Sequence, residues 1–323
     1  MNETLESSSF ADDWDVYWQG TRKAAMQGIG GAKDKALSVF WSKFFREEFP
    51  RHDGPRVLDA ACGNGAVTEY ARKITEAITG SEATLTCMDY SASAIKAMEE
   101  KFPGIRGIAC DAADTPFSDR EFHIVASQFG LEYAGDAAFD EAARLVTKSG
   151  VLVAIVHMKK GAIYEECAEN LSAIKTIEDV DLIALGRAAF DAGFAVIAGN
   201  ASQADFREAD KNLAPAVEVL KEILAKHGPY VAGGIIHDLG ADLGHMYQRI
   251  QSYVPKEVSD WFDRTENEIR AYAGRMQSMV DAALDEADIK KLSNRLRSTG
   301  LTVDTHDVLR MGNKKQPAAW ILV

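Results

Sequence analysis

Nine residues, Val57-Leu58-Asp59-Ala60-Ala61-Cys62-Gly63-Asn64-Gly65, constrain the fold more than any other part of the chain. An apolar run ends near an acid and meets a Gly-x-Gly turn at once. Residues 66–78 then carry helical apolar spacing. A strand, a tight turn and a helix in this order open a nucleotide-binding α/β sheet. Gly63 and Gly65 allow backbone to approach a ligand where a Cβ would collide. The third glycine of the dinucleotide fingerprint would fall at Thr68 and is absent. Asp59 puts a negative charge before the turn, where a pyrophosphate would be repelled. A cofactor with a cationic amino group and no phosphate suits this loop better, and S-adenosylmethionine is one.

The segments that follow keep the same logic. Residues 83–88 read as a second strand ending at Asp89, and an acid there can accept both ribose hydroxyls of a bound nucleoside. Asp111 and Ala112 follow the short apolar run 105–110. Residues 122–128 read as a fourth strand. At VLDAACGNG (57–65), MDYSASAIKAM (88–98), CDAADTPFSDREFHIVASQFGLEY (110–133) and SGVLVAIVH (149–157) the chain resembles the class I S-adenosylmethionine-dependent methyltransferases. That family commonly carries D-x-x-x-G-x-G, then D-x-S after the second strand, then D-A-x-x-x-P-F-x-D-x-x-F-D leading into the fourth. Order and spacing agree over roughly residues 50–160. His123 stands where the family usually has Asp, at the strand end away from the expected site.

The resemblance implies an α/β fold with a Rossmann-like seven-stranded sheet in the order 3-2-1-4-5-7-6, and the length and apolar spacing of the segment between strands 5 and 6 mark a large helical insertion. The chain divides accordingly into a helical N-terminal extension (1–50), a cofactor-binding core (51–160 and 287–323) and the insertion (161–286). Within the insertion, helices are expected from about residue 204 to 226 and from about 255 to 285, each with apolar residues every three or four positions. Such faces must be buried. A lid over the acceptor and a homodimerisation arm are the two readings. The glycine-rich stretch 228–234 reads as a flexible connector. A last helix over 292–298, a strand over 301–311, a turn at Gly312 and a strand over 316–323 close the chain, with the final pair antiparallel.

Ligands of open α/β sheets bind beyond the C-terminal ends of the strands, which selects the candidates. Asp59, Ala61, Gly63 and Gly65 belong to the first loop, with Asp59 ordering it and favouring the cationic cofactor. Asp89 is the ribose acceptor, Tyr90 a platform for adenine, and Asp111 with Ala112 the contacts to the adenine edge. Gln128 and Phe129 fall beside the methionine part. His157 ends the fifth strand, as a general base for the acceptor or as a hydrogen-bonded strand-end histidine. Glu132 and Tyr133 are candidates to touch the acceptor. Near the N-terminus, Trp14, Tyr17 and Trp18 crowd into five residues before Arg22. Tyr17, Trp18 and Arg22 either close over the cofactor or anchor a helix on the sheet.

Composition narrows the function classes. The 323-residue chain carries a net charge of −13, which argues against a phosphate-backbone surface and makes nucleic acid a disfavoured partner. No apolar run reaches the roughly 20 residues a membrane helix needs, and the polar, acidic residues 1–9 do not read as a signal peptide. Four scattered Cys give no metal-ligand spacing and fit a reducing, cytoplasmic setting. His227, His237 and His245 make no compact metal motif. The leading expectation is methyl transfer to a small or medium-sized molecule without a metal. Protein or RNA methylation and a non-catalytic S-adenosylmethionine-binding protein are the alternatives. A nicotinamide dehydrogenase is disfavoured by Asp59 and by the missing third glycine.

Overall fold

A computed structural model of the chain describes residues 35–77, 82–303, 306–312 and 315–323. They fall into two compact units, one comprising residues up to Cys167 with Ser278–Val323, the other Ala168–Gln277. The expected positions Tyr17, Trp18 and Arg22 lie outside the described residues.

The first unit is built on a seven-stranded sheet, β3-β2-β1-β4-β5-β7-β6. The strands are β1 (Arg56–Ala60), β2 (Thr84–Asp89), β3 (Arg106–Ala109), β4 (Phe122–Gln128), β5 (Val146–His157), β6 (His306–Met311) and β7 (Gln316–Leu322). The first five pair in parallel, and β7 runs antiparallel to both β5 and β6. This is the order implied by the resemblance. Strands buried on both faces read as continuous apolar runs, and the last half of β5 does so.

Alternation along the strands assigns the faces. Leu58, Met88, Val125, Ala154 and Val156 point to one side. There they meet Phe139 and Ala142 of α4 (Gly135–Leu145) and Leu292 and Leu296 of α10 (Glu286–Ser298). Asp59, Cys87 and Gln128 point to the other side, toward α1 (Lys35–Glu48), α2 (Ala66–Ala77) and α3 (Ala92–Lys101). α1 and the 3-10 turn after it lay down an aromatic stripe, Trp41, Phe45 and Phe49, all buried, with Trp41 and Phe45 stacked at 5.6 Å. Ser91 caps α3 by accepting the Ala94 N–H at 3.0 Å.

Two boundaries differ from the sequence reading. α10 starts at Glu286 rather than near 292, because Asp285 and Asp288 form a reciprocal capping box. β6 starts at His306, and residues 301–303 have no regular structure.

The chain leaves the first unit within α5 (Ala162–Asp179) and returns within α9 (Pro255–Ala282). Between them lie α6 (Leu182–Ile197), α7 (Gln203–His227) and α8 (Ile235–Gln248). Ser202 and Asp205 cap α7 with a second reciprocal box. This unit has its own apolar core. Phe262 and Tyr247 meet the Phe190 ring edge-on at 5.8 and 5.5 Å, and Leu220, Leu243 and Ile269 fill in around them. Gly186 lets the Phe262 ring come close, since a Cβ there would stand 3.1 Å from it. The stretch 228–234 is a connector, as expected, but a packed one. Val231 and Ala232 are buried, and the Ala232 N–H donates to Asn170 Oδ1 at 2.9 Å. Among the described residues, no helix is long and apolar enough to cross a membrane.

Candidate cofactor and acceptor site

The glycine loop is organised by two carboxylates at adjacent strand ends. Asp59 is 2% exposed. Its Oδ2 accepts the Thr68 N–H at 2.8 Å and the Thr68 hydroxyl at 2.6 Å. Thr68 occupies the place of the missing third glycine, and its side chain does what a glycine could not: it ties the first turn of α2 to the acid. Its hydroxyl also lies 2.9 Å from the buried Cys87 thiol. Asp59 Oδ1 is buried and has no hydrogen-bond partner among the described residues. Burial pushes the Asp59 carboxyl up to about 7, against the two Thr68 hydrogen bonds that lower it; the Asp89 charge adds a smaller rise.

Asp89, at the end of β2, accepts the Gly63 N–H at 2.8 Å through Oδ2 and the Ser91 N–H at 2.9 Å through Oδ1. Both oxygens are thus anchored by backbone. The loop between these acids has Ala61, Gly63 and Gly65 at positive φ, 55°, 52° and 76°. The physical reason for Gly65 differs from the one read in the sequence. A Cβ there would run into the protein itself, 2.9 Å from the Phe102 ring and 3.0 Å from Met98.

The outer candidates are open. Tyr90 is 63% exposed. Asp111 is exposed, and its Oδ1 accepts the Ala113 N–H at 2.8 Å, a local turn; Ala112 is half-buried. Gln128 turns its amide to α1, where Oε1 accepts the Trp41 indole N–H at 2.7 Å. Phe129 sits at φ +55°, and its N–H donates to the Ile155 carbonyl at 2.7 Å. Gly130 is a residue the sequence reading missed. A Cβ on it would overlap that of Ala61, so the turn after β4 can touch the glycine loop only through a glycine.

Beyond Phe129 the three acceptor-side candidates converge. The His157 and Glu132 side chains are 2% and 0% exposed. Glu132 Oε1 accepts the His157 backbone N–H at 3.0 Å and lies 2.7 Å from His157 Nδ1. The Phe129 ring lies 4.5 Å from the imidazole, tilted, and the Tyr133 ring meets it edge-on at 5.7 Å. Burial holds the Tyr133 phenol well above its ordinary value, reinforced by the Glu132 charge. The histidines of the helical unit take other roles: His227 bonds Glu169 at 2.6 Å and His237 bonds Asp238 at 3.0 Å.

A parallel sheet that turns antiparallel at β7, a glycine turn after β1 and carboxylates closing β1 and β2 define a Rossmann-like methyltransferase sheet. Residues 57–150 match the family model described as a methyltransferase domain. Over this stretch the chain is similar to methyltransferase domains.

Among curated relatives, the demethylmenaquinone methyltransferase of Chlorobaculum tepidum is 30% identical over 105 residues, covering 32% of this chain and 41% of that protein. The demethylmenaquinone methyltransferase of Staphylococcus aureus is 27% identical, covering 36% and 48%. The ubiquinone/menaquinone biosynthesis C-methyltransferase UbiE of Campylobacter jejuni is 25% identical, covering 35% and 50%. The chain therefore spans about half or less of the length of these relatives. A solved methyltransferase from Aquifex aeolicus aligns with TM-score 0.33 and 18% identity, over 38% of this chain and 68% of that one.

Proposed function

We propose that the chain transfers the methyl group of S-adenosylmethionine to a small or medium-sized acceptor. The observation that carries this reading is Asp59, a buried carboxyl with one oxygen held by Thr68 and the other unpartnered at the root of the glycine loop. An uncompensated buried acid calls for a cation, and an amino-acid ammonium supplies one where a pyrophosphate would not. Asp89, an acceptor at the end of β2, is the residue for the two ribose hydroxyls. Asp111 and Ala112 stand on the adenine side, with Tyr90 as a surface for the ring. Gln128 and Phe129, at the end of β4, are the residues for the methionine part.

The bound cofactor would supply a methyl group on a cationic sulfur. The chain's own part is positioning, which brings the acceptor in line behind the methyl, and exclusion of water, which favours a reaction that discharges the sulfonium. The matched relatives are named for quinone substrates, so quinone-type rings are the first acceptors to try. The charge of −13 speaks against RNA. Calorimetric titration with S-adenosylhomocysteine should show one site per chain, with no competition from NADH. Absence of heat or thermal shift at millimolar ligand would remove the reading.

A further inference from the structure

Resting on the methyltransferase reading, we infer that the side-chain amide of Gln128 holds the carboxylate of the cofactor's amino-acid head. Trp41, reaching from α1, is the positioning residue that decides which end of that amide the ligand meets.

A glutamine amide has an accepting end and a donating end, and its shape alone does not say which is offered. Here a neighbour decides. The Trp41 indole carries one N–H and can only donate. Its Nε1 lies 2.7 Å from Gln128 Oε1, so the carbonyl end is committed to Trp41 and the NH2 end is turned away from it. A flipped amide would set donor against donor and leave a buried indole N–H unpaired, which is costly. The indole itself is fixed. Trp41 is fully buried, with the rings of Phe40, Phe44 and Phe45 at 5.1, 5.9 and 5.6 Å. Among the described residues, Oε1 is the one atom of this amide with a hydrogen bond, so Nε2 keeps its donors for a ligand.

Position says which ligand group they serve. Gln128 is the last residue of β4 and only half-buried, at the strand ends where ligands of this fold lie. Asp59 stands in register with Ala126, and Gln128 is two residues further on. The Asp59 and Gln128 side chains therefore share one sheet face on neighbouring strands. Asp59 brings to that face a buried oxygen with no partner among the described residues, an acceptor. Gln128 brings donors. An acceptor and a donor side by side complement an ammonium and a carboxylate on one carbon, the head of an α-amino acid. Bonds from Nε2 to a carboxylate are charge-assisted and stronger than bonds to a hydroxyl or a ring nitrogen. The site therefore prefers a nucleoside that carries the whole amino-acid head over one that has lost its carboxylate.

The test is calorimetry on the full chain at pH 8 with three ligands. They are S-adenosylhomocysteine, its decarboxylated analogue, which keeps the amine, and 5′-methylthioadenosine, which lacks the head altogether. The wild type should bind S-adenosylhomocysteine at least about tenfold more tightly than the decarboxylated analogue. Gln128→Glu keeps an acceptor for the Trp41 N–H and changes only the atom that meets the ligand, from donor to anion. It should lose roughly ten- to a hundredfold on S-adenosylhomocysteine, the span for a hydrogen bond to a charged group. The same variant should bind the decarboxylated amine as well as the wild type or better, and 5′-methylthioadenosine equally well. Trp41→Phe keeps a buried ring but frees the amide to turn. It should lose affinity for S-adenosylhomocysteine, by less than Gln128→Glu does, and leave the other two ligands unchanged.

Equal losses on all three ligands would make the pair structural and overturn the inference. So would unchanged S-adenosylhomocysteine affinity in a folded Gln128→Glu, or a wild type that binds the decarboxylated analogue as tightly as the parent. Each of these leaves the methyltransferase reading standing. Failure of the wild type to bind S-adenosylhomocysteine at all would remove that reading and the inference with it.

Discussion

Asp59→Asn should raise the stability of the free protein while weakening its hold on the cofactor. The carboxyl is buried, and its ionisation is opposed by that burial, so it sits near 7 in the fold against 3.8 in an unfolded chain. The folded state therefore binds this proton more tightly than the unfolded state. Stability from this group is fully present below about pH 4 and declines as pH rises toward 7, where the native carboxyl finally ionises. Raising a carboxyl from 3.8 to about 7 corresponds to about 4 kcal/mol, an order-of-magnitude ceiling, lost across that window.

Asparagine keeps a carbonyl acceptor for the Thr68 N–H and hydroxyl and has nothing to ionise. Its Tm should match the wild type near pH 4, and the gap should open steadily to pH 7 and then stop growing. Thermal melts of both proteins at half-unit pH steps read this directly. Parallel curves would refute the account, because they would mean that Asp59 ionises in the native state as easily as in the unfolded one. The same proton should appear in binding. Calorimetry of S-adenosylhomocysteine near pH 6 in buffers of different ionisation enthalpy should show proton release by the wild type and none from this site in Asp59→Asn.

Asp89→Ala should weaken S-adenosylhomocysteine binding by about 1.5–3 kcal/mol, the range for hydrogen bonds to a charged group, and Asp89→Asn by less; unchanged affinity in a folded Ala variant would rule out the ribose role. Gly130→Ala should force the turn after β4 away from Ala61 and reduce cofactor affinity more than it reduces Tm, checked by running both measurements on one preparation. Phe262→Ala, at a fully buried ring in the helical unit, should cost about 3–5 kcal/mol, read from urea denaturation; a loss under 1 kcal/mol would contradict the packing described. Replacing residues 168–277 by a short linker should abolish transfer and retain cofactor binding if the segment serves as a lid. A drop from dimer to monomer in light scattering would identify an arm instead.

What could be read from the sequence was local in the chain. The glycine loop and Asp89 rest on motifs a few residues long, the strand order rests on the family resemblance those motifs carry, and the hydrophobic spacing of α7 and α9 placed both helices. The side-chain roles reached across the fold and were hidden. Thr68 looked like a missing glycine until its hydroxyl was found on Asp59. Nothing within a short window pairs Trp41 with Gln128, 87 positions away, or Glu132 with His157, 25 away. Gly130 looked like any turn glycine, because its constraint comes from Ala61 on another loop. The start of α10 was legible in principle, since Asp285 and Asp288 have capping-box spacing. The glycine-rich connector 228–234 misled through composition: two of its residues are buried, and Ala232 takes a left-handed conformation.

The antiparallel pairing of β7 has a consequence for how the chain is made. β7 inserts between β5 and β6, with Ala154–His157 opposite Leu322–Ala319. During synthesis β5 emerges about 160 residues before the strand that completes it, at ribosomal rates of about 5–20 residues per second. Throughout that interval the backbone N–H and C=O groups of an apolar strand face outward, a template for pairing with another nascent chain. The helical unit is contiguous in sequence and buries a core of its own, so it can fold while the sheet waits. The interval of risk is then the time β5 spends with an open edge, and its last turn is set by residues 316–322. A chaperone that holds nascent chains should be found on this protein after β5 has emerged and be released once β7 is out.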